Sequence, residues 1–139
     1  MTHPEHIQDM IDDFSFMDDW EDRYMHVIDL GKDLKPLNNN ERNDSTRVKG
    51  CVSQVWLIND PDLDAKGRLF YRGDSDAHIV KGLVAIMIHI FSGQTPENII
   101  KTDIKAIMDE LGLAEHLSQQ RSNGLKAMVE RIQNDAKAA

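Results

Sequence analysis

Val52-Ser53-Gln54-Val55-Trp56-Leu57-Ile58 is the stretch at which the hydrophobic pattern of this 139-residue chain changes period. Before it, apolar residues recur at helical spacing. Here β-branched and aromatic residues crowd together, as in an extended strand half-buried on a sheet. Asn59-Asp60-Pro61-Asp62 and Lys66-Gly67 punctuate the next residues, and Arg68 to Arg72 reads as a second strand. The pair predicts an antiparallel hairpin, with Asp60-Pro61-Asp62-Leu63-Asp64 as its solvated tip. Upstream, Arg47-Val48 is long enough only to lead a short third strand into the turn at Gly50-Cys51.

Helices flank this hairpin on both sides. Ile7, Met10, Ile11, Phe14 and Met17 form the apolar face of a first helix that tolerates Pro4 in its opening turn. A second helix is expected with Asp18 or Asp19 as cap, Trp20, Tyr24, Val27 and Ile28 as its stripe, and Gly31 as a left-handed exit. Residues 32–46 read as a polar loop with one short turn. After the hairpin, Gly73-Asp74-Ser75-Asp76 ends the second strand and offers N-caps to a central helix bearing Val80, Leu83, Val84, Met87, Ile88 and Phe91. Ser92-Gly93 stops it. Thr95-Pro96 opens a short helix, Asp103 caps another that ends before Gly112, and Ser118 to Ser122 begins the last, with Leu125, Met128, Val129 and Ile132 on its apolar side. The outline is α+β: one domain over residues 1–139, its small antiparallel sheet of about three strands covered by N- and C-terminal helices.

Charge and composition narrow the function. Residues 1–22 hold eight acids and no Lys or Arg, so the remaining 16 acids and 16 bases cancel and the whole excess of −8 sits at the N-terminus. That field repels phosphate backbones, so a nucleic-acid partner is not expected. It suits either a solvated helical face or the steering of a basic protein partner. One cysteine, no basic leader and no apolar run near the ~18 residues of a membrane span predict a soluble protein of a reducing compartment, the cytosol, with no membrane partner.

Cys51 has no disulfide partner within the chain and too few companions for a metal cluster. It is either a small buried hydrophobe or the one reactive sulfur of the protein. Reactivity needs a thiolate. Arg47 and Lys49 bring positive charge to its neighbourhood, Gly50 lets the backbone turn beside it, and Ser53 offers a hydrogen-bond donor. His78, His89 and His116 sit in no protease signature, and Cys-x-x-Cys, phosphate-cradle and nucleotide motifs are missing from the sequence.

Arg47-Val48-Lys49-Gly50-Cys51-Val52-Ser53-Gln54-Val55-Trp56 resembles the cysteine block of the SufE family. Gly73-Asp74-Ser75-Asp76-Ala77 with Ile79-Val80-Lys81-Gly82-Leu83 resembles a second block, Thr95-Pro96 a third, and His116-Leu117 with Arg121-Ser122-Asn123-Gly124-Leu125 a fourth. With Trp20 and Tyr24, the similarity runs in order through nearly the whole chain. It implies a SufE/IscU-like fold and a sulfur-acceptor function. Cys51 would take a persulfide sulfur from a SufS-like cysteine desulfurase, stimulate its turnover, and pass the sulfur to a SufBCD-like iron–sulfur scaffold.

The same resemblance implies an accessory carrier that forms a cysteine persulfide, transferase-like and not an independent enzyme. Pyridoxal phosphate would reside on the desulfurase, with no cofactor or metal bound by this chain. A CsdE-like carrier for another sulfur pathway and a non-carrier regulatory subunit are the competing readings. Gly50, Ser53 and Asp74 are the expected supports of the cysteine loop, and Arg121 matches an arginine that would contact either the partner or that loop. Asp74 and Asp76 match an acidic pair open to two roles, capping the central helix or locking the loop. Trp56 is expected beneath the strand as core. Family members often carry Asn where Thr46 stands and Gln where Val52 stands. A persulfide also calls for shelter, so Cys51 is expected in an apolar recess, with Gly50 as the pliable point on docking.

Overall fold

The computed structural model describes residues 3–50, 53–60 and 67–139. Cys51 and Val52 lie outside the described residues, as do 61–66. The expected strand start at Val52, the recess for Cys51 and most of the hairpin tip therefore fall there.

Helix α1, Glu5–Ser15, begins directly after Pro4, where a missing backbone N–H costs no helical bond. It buries Ile7, Met10, Ile11 and Phe14, while Met17 falls beyond its end. Helix α2, Trp20–Lys32, buries Val27 and turns Trp20, Tyr24 and Ile28 onto the core. Asp19 takes the N-cap position, though its side chain makes no cap bond. Gly31 is not the left-handed exit expected of it. It lies within α2, and a Cβ there would stand 2.7 Å from the Gly82 backbone nitrogen.

That close approach is the crossing of α2 with the central helix α3, His78–Phe91. Leu83, Val84, Ile86, Met87, Ile90 and Phe91 of α3 are almost fully buried, because it packs α2 on one side and the sheet on the other. A sequence hydrophobic nearly all round is what such a position demands.

The sheet has two strands, β1 (Val55–Asp60) and β2 (Phe70–Ser75), paired antiparallel from Val55↔Ser75 to Asp60↔Phe70. Val55 and Leu57 face the core. Trp56 and Ile58 point to the opposite face, so Trp56 is not core beneath the strand. It is half-buried, with the Arg42 guanidinium 5.8 Å from its ring centroid. The expected third strand shrinks to a single bridge, Arg47↔Trp56, with Val48 N–H donating to the Val55 carbonyl at 2.8 Å and Leu57 N–H to the Thr46 carbonyl at 2.9 Å.

Strand β2 also runs three residues further than its sequence suggests, through Gly73-Asp74-Ser75, because pairing with β1 outweighs the turn character of those residues. Neither Asp74 nor Asp76 therefore caps α3, whose N-cap position is Ala77 with no side-chain cap bond.

Residues 33–46 cross the outer face of the sheet as a chain of bonded turns. Leu37 plugs into the core, and Thr46 Oγ donates to the Glu41 carbonyl at 2.7 Å. Beyond α3 come α4 (Pro96–Lys101), capped by Thr95, and α5 (Ile104–Glu110), capped by Asp103. A 3-10 turn at Ala114–His116 leads into the 20-residue α6, Gln119–Ala138, whose cap is Ser118. No helix among the described residues is long and apolar enough to cross a membrane.

Candidate functional site

The cysteine segment leaves the sheet at a defined base. The bonds Val48 N–H to Val55 and Leu57 N–H to Thr46 close a ladder below it. On the entering side Gly50 has φ 98°, a left-handed conformation that side-chain-bearing residues seldom adopt. A Cβ at Gly50 would also press to 3.3 Å from the Ala127 methyl of α6.

The leaving side is clipped at Gln54. Its N–H donates to Asp76 Oδ1 at 3.0 Å, and its carbonyl accepts from Ser75 Oγ at 2.7 Å and from the Asp76 N–H at 3.3 Å. Asp76 is thus the member of the acidic pair that grips the loop directly.

Asp74 does something else. It is 3 % exposed, and among the described residues its partners lie away from the loop. They are the Leu37 N–H at 3.1 Å, the Ser75 N–H at 2.8 Å, Arg42 Nη1 at 3.5 Å and Lys81 Nζ at 3.4 Å. A buried carboxylate with two cations and two amides is well compensated. It pins residues 37–42 to β2 and α3, and its tie to the cysteine segment runs through its sheet neighbour Trp56.

Ser53, two residues past Cys51, and Arg121, in the first turn of α6, line one cavity of about 290 Å³. Its floor is apolar, made by Ile79, Val80, Leu83 and Met128. The polar wall belongs to Ser53, Ser118, Gln120 and Arg121, and Ser118 Oγ caps the helix by accepting the Arg121 N–H at 3.2 Å. The lining thus sets apolar side chains beside hydroxyl-, amide- and guanidinium-bearing residues, three of them at the N-terminus of α6.

The structure therefore brings Ser53 and Arg121 together, sets Gly50 against α6, and sends Asp74 to the far side of the sheet. Ala127, Met128 and Asp76 also shape the surroundings. Met128 is legible in the sequence only as core, and Ala127 carries no sequence signal of its own. Among the described residues no three His, Cys, Asp or Glu side chains gather in a metal-binding arrangement. His89 packs against α1, bonded through Nε2 to the His6 carbonyl at 2.8 Å.

Comparison with known proteins agrees with this architecture. A solution structure of a hypothetical protein from Thermus thermophilus superposes with a TM-score of 0.77 over 99 % of this chain and 98 % of its own, at 18 % identity, which speaks for the fold. An uncharacterised SufE-like protein of Rhizobium meliloti is 48 % identical over 131 residues, 94 % of each chain. Another, of Rhizobium etli, is 48 % identical over 132 residues, covering 94 % of this chain and 89 % of its own. The family model described as SufE, Fe-S metabolism associated domain, matches residues 8–136. The chain belongs to the SufE family.

Proposed function

We propose that this protein is a sulfur acceptor for a pyridoxal-phosphate-dependent cysteine desulfurase of the SufS type, and that Cys51 carries the sulfur as a persulfide. The Cys51 thiolate attacks the terminal sulfur of the desulfurase persulfide. A new S–S bond forms on Cys51, the donor's S–S bond breaks, and the donor cysteine leaves as thiolate. The transferred sulfur keeps its oxidation state, so no outside oxidant or reductant enters. A second exchange hands the sulfur to an iron–sulfur scaffold of the SufBCD type.

The observation that carries the reading is the cavity that Ser53, two residues past Cys51 in sequence, and Arg121 line together with apolar side chains of α3 and α6. The cysteine count supports it as well. With one cysteine in the chain, no neighbouring thiol of its own can attack the persulfide and release the cargo as sulfide. Acceptance of sulfur also accelerates the desulfurase, because it empties the donor cysteine for another turnover.

Mass spectrometry after incubation with a cysteine desulfurase and cysteine tests this. The expected result is one added sulfur, mapped to Cys51 and removed by dithiothreitol. Cys51→Ala should lose both the adduct and the stimulation of desulfurase turnover. Full stimulation by Cys51→Ala would replace the carrier with a regulatory subunit acting through surface contact.

A further inference from the structure

Residues 127, 131 and 135 lie four apart on α6 and form one stripe along the helix. Each meets a part of the fold that leads to Cys51. The Ala127 methyl faces Gly50 across 3.3 Å, measured to where a Cβ would be. Arg131 donates from Nη2 to the Ser45 carbonyl at 3.0 Å and from Nη1 to the Arg47 carbonyl at 3.5 Å. Asp135 stands 3.8 Å from Arg131 Nε and accepts the hydroxyl of the buried Tyr71 at 2.9 Å, tying the stripe to β2.

The two carbonyls taken by Arg131 are the informative detail. The Thr46 carbonyl and the Val48 N–H bond to β1, while the Ser45 carbonyl, in the turn before the bridge, and the Arg47 carbonyl, at the bridge itself, go to α6. An unpaired edge carrying one bridge is easily displaced. The guanidinium fork spans both carbonyls in place of a neighbouring strand, which a single point charge cannot do as well.

We propose that Arg131 is a positioning residue for sulfur transfer, holding the 45–50 stem in register against α6 and thereby limiting how Cys51 meets its reactants. This rests on Cys51 being the sulfur carrier. Arg131 touches no reacting atom in this scheme. It acts through the backbone of the stem, with Asp135 and Tyr71 aiming the guanidinium.

The test is the rate of alkylation of Cys51 by iodoacetamide in the isolated protein, measured across neutral to mildly alkaline pH and fitted to the limiting rate of the fully ionised thiol. Rates then report access instead of ionisation. Arg131→Met, which keeps the apolar stem, is expected to alkylate about three- to tenfold faster than wild type, the scale set by losing one or two ordinary hydrogen bonds. Arg131→Lys should fall between the two, and Lys126→Met, on another face of the same helix, should match wild type.

A wild-type rate in a folded Arg131→Met overturns the proposal. If that variant does not fold, Arg131→Lys and Asp135→Asn decide: rates raised above wild type support the brace, and wild-type rates in both overturn it. Sulfur uptake from a desulfurase is measured alongside. Wild-type protein that takes up no sulfur sinks the carrier reading, while the alkylation series still judges the brace.

Discussion

The Asp76 carboxylate accepts the backbone N–H of Gln54 at 3.0 Å, and the Asp76 N–H returns a bond of 3.3 Å to the Gln54 carbonyl. This reciprocal pair extends the β1–β2 ladder by one step past Val55↔Ser75. It sets the chain direction where the cysteine loop rejoins the sheet. Ser75 Oγ reinforces it on the same carbonyl. The loop's two ends are thus held by different devices, a side-chain clip on the leaving side and close packing against α6 on the entering side.

Loss of the clip should be measurable without destroying the fold. Asp76→Ala removes one side-chain acceptor at an exposed position, so urea denaturation is expected to show a loss of about 1 kcal/mol. Asp76→Asn, which keeps an oxygen for the Gln54 N–H, should lose less. Equal losses in the two variants would mean that the charge, and not the bond, stabilises this end of the loop.

The α2–α3 crossing makes a sharper demand. At Gly82 a Cβ would overlap the Val27 carbonyl, which is backbone and cannot swing aside, whereas at Gly31 it would reach 2.7 Å from the Gly82 nitrogen. Gly82→Ala is expected to destabilise by at least about 2 kcal/mol, the cost of overpacking a rigid contact. Gly31→Ala should destabilise by a smaller amount. A neutral Gly82→Ala in thermal and urea unfolding would contradict the crossing as described.

These particulars show which features could be read from sequence. Thr95 and Asp103 are visible as helix caps because a cap bonds only three residues ahead, a purely local relation. Asp76 has the same signature, yet its oxygen goes to Gln54, just ahead of β1, and Asp74's goes to Leu37. Gly31 presents the same ambiguity, since a glycine near a helix end serves an exit or a close crossing equally well. Strand ends shift for a related reason: Gly73 and Asp74 look like a turn until β1 is beside them. Of the site, Cys51, Gly50 and Ser53 announce themselves by adjacency and Arg121 by family resemblance. Arg131 and Asp135, whose partners are distant in the chain, bear no sequence mark.

Acid should act through Glu41. Its carboxylate pairs with Arg72, which Asp60 also holds, and accepts the Asn38 N–H at 3.2 Å. The Arg72 hydrogen bond, with the Asn38 bond next, lowers its pKa below the ordinary 4.5. Its contribution is therefore complete above that ordinary value and disappears as pH falls through the lower folded-state value. Glu41→Gln is expected to flatten this part of the acid limb of stability against pH. An acid limb unchanged from wild type would show that the pair is formed equally in the unfolded chain.

Alkali should act through Tyr71, and with the opposite sense. Burial, followed by the bond to Asp135, raises its pKa well above the usual 10.0, because ionisation would place a phenolate in the core beside a carboxylate. The unfolded chain releases this proton near pH 10.0 while the folded one retains it. Stability is thus fully present below that pH and falls as pH rises beyond it. Tyr71→Phe is expected to cost about 1 kcal/mol at neutral pH for the lost hydrogen bond and the stranded acceptor. It should also remove part of the alkaline loss. Titration of phenolate absorbance provides the direct check: Tyr71 should ionise only as the chain unfolds. A Tyr71 that titrates near its usual value without unfolding would place its hydroxyl in water and dissolve its bond to Asp135.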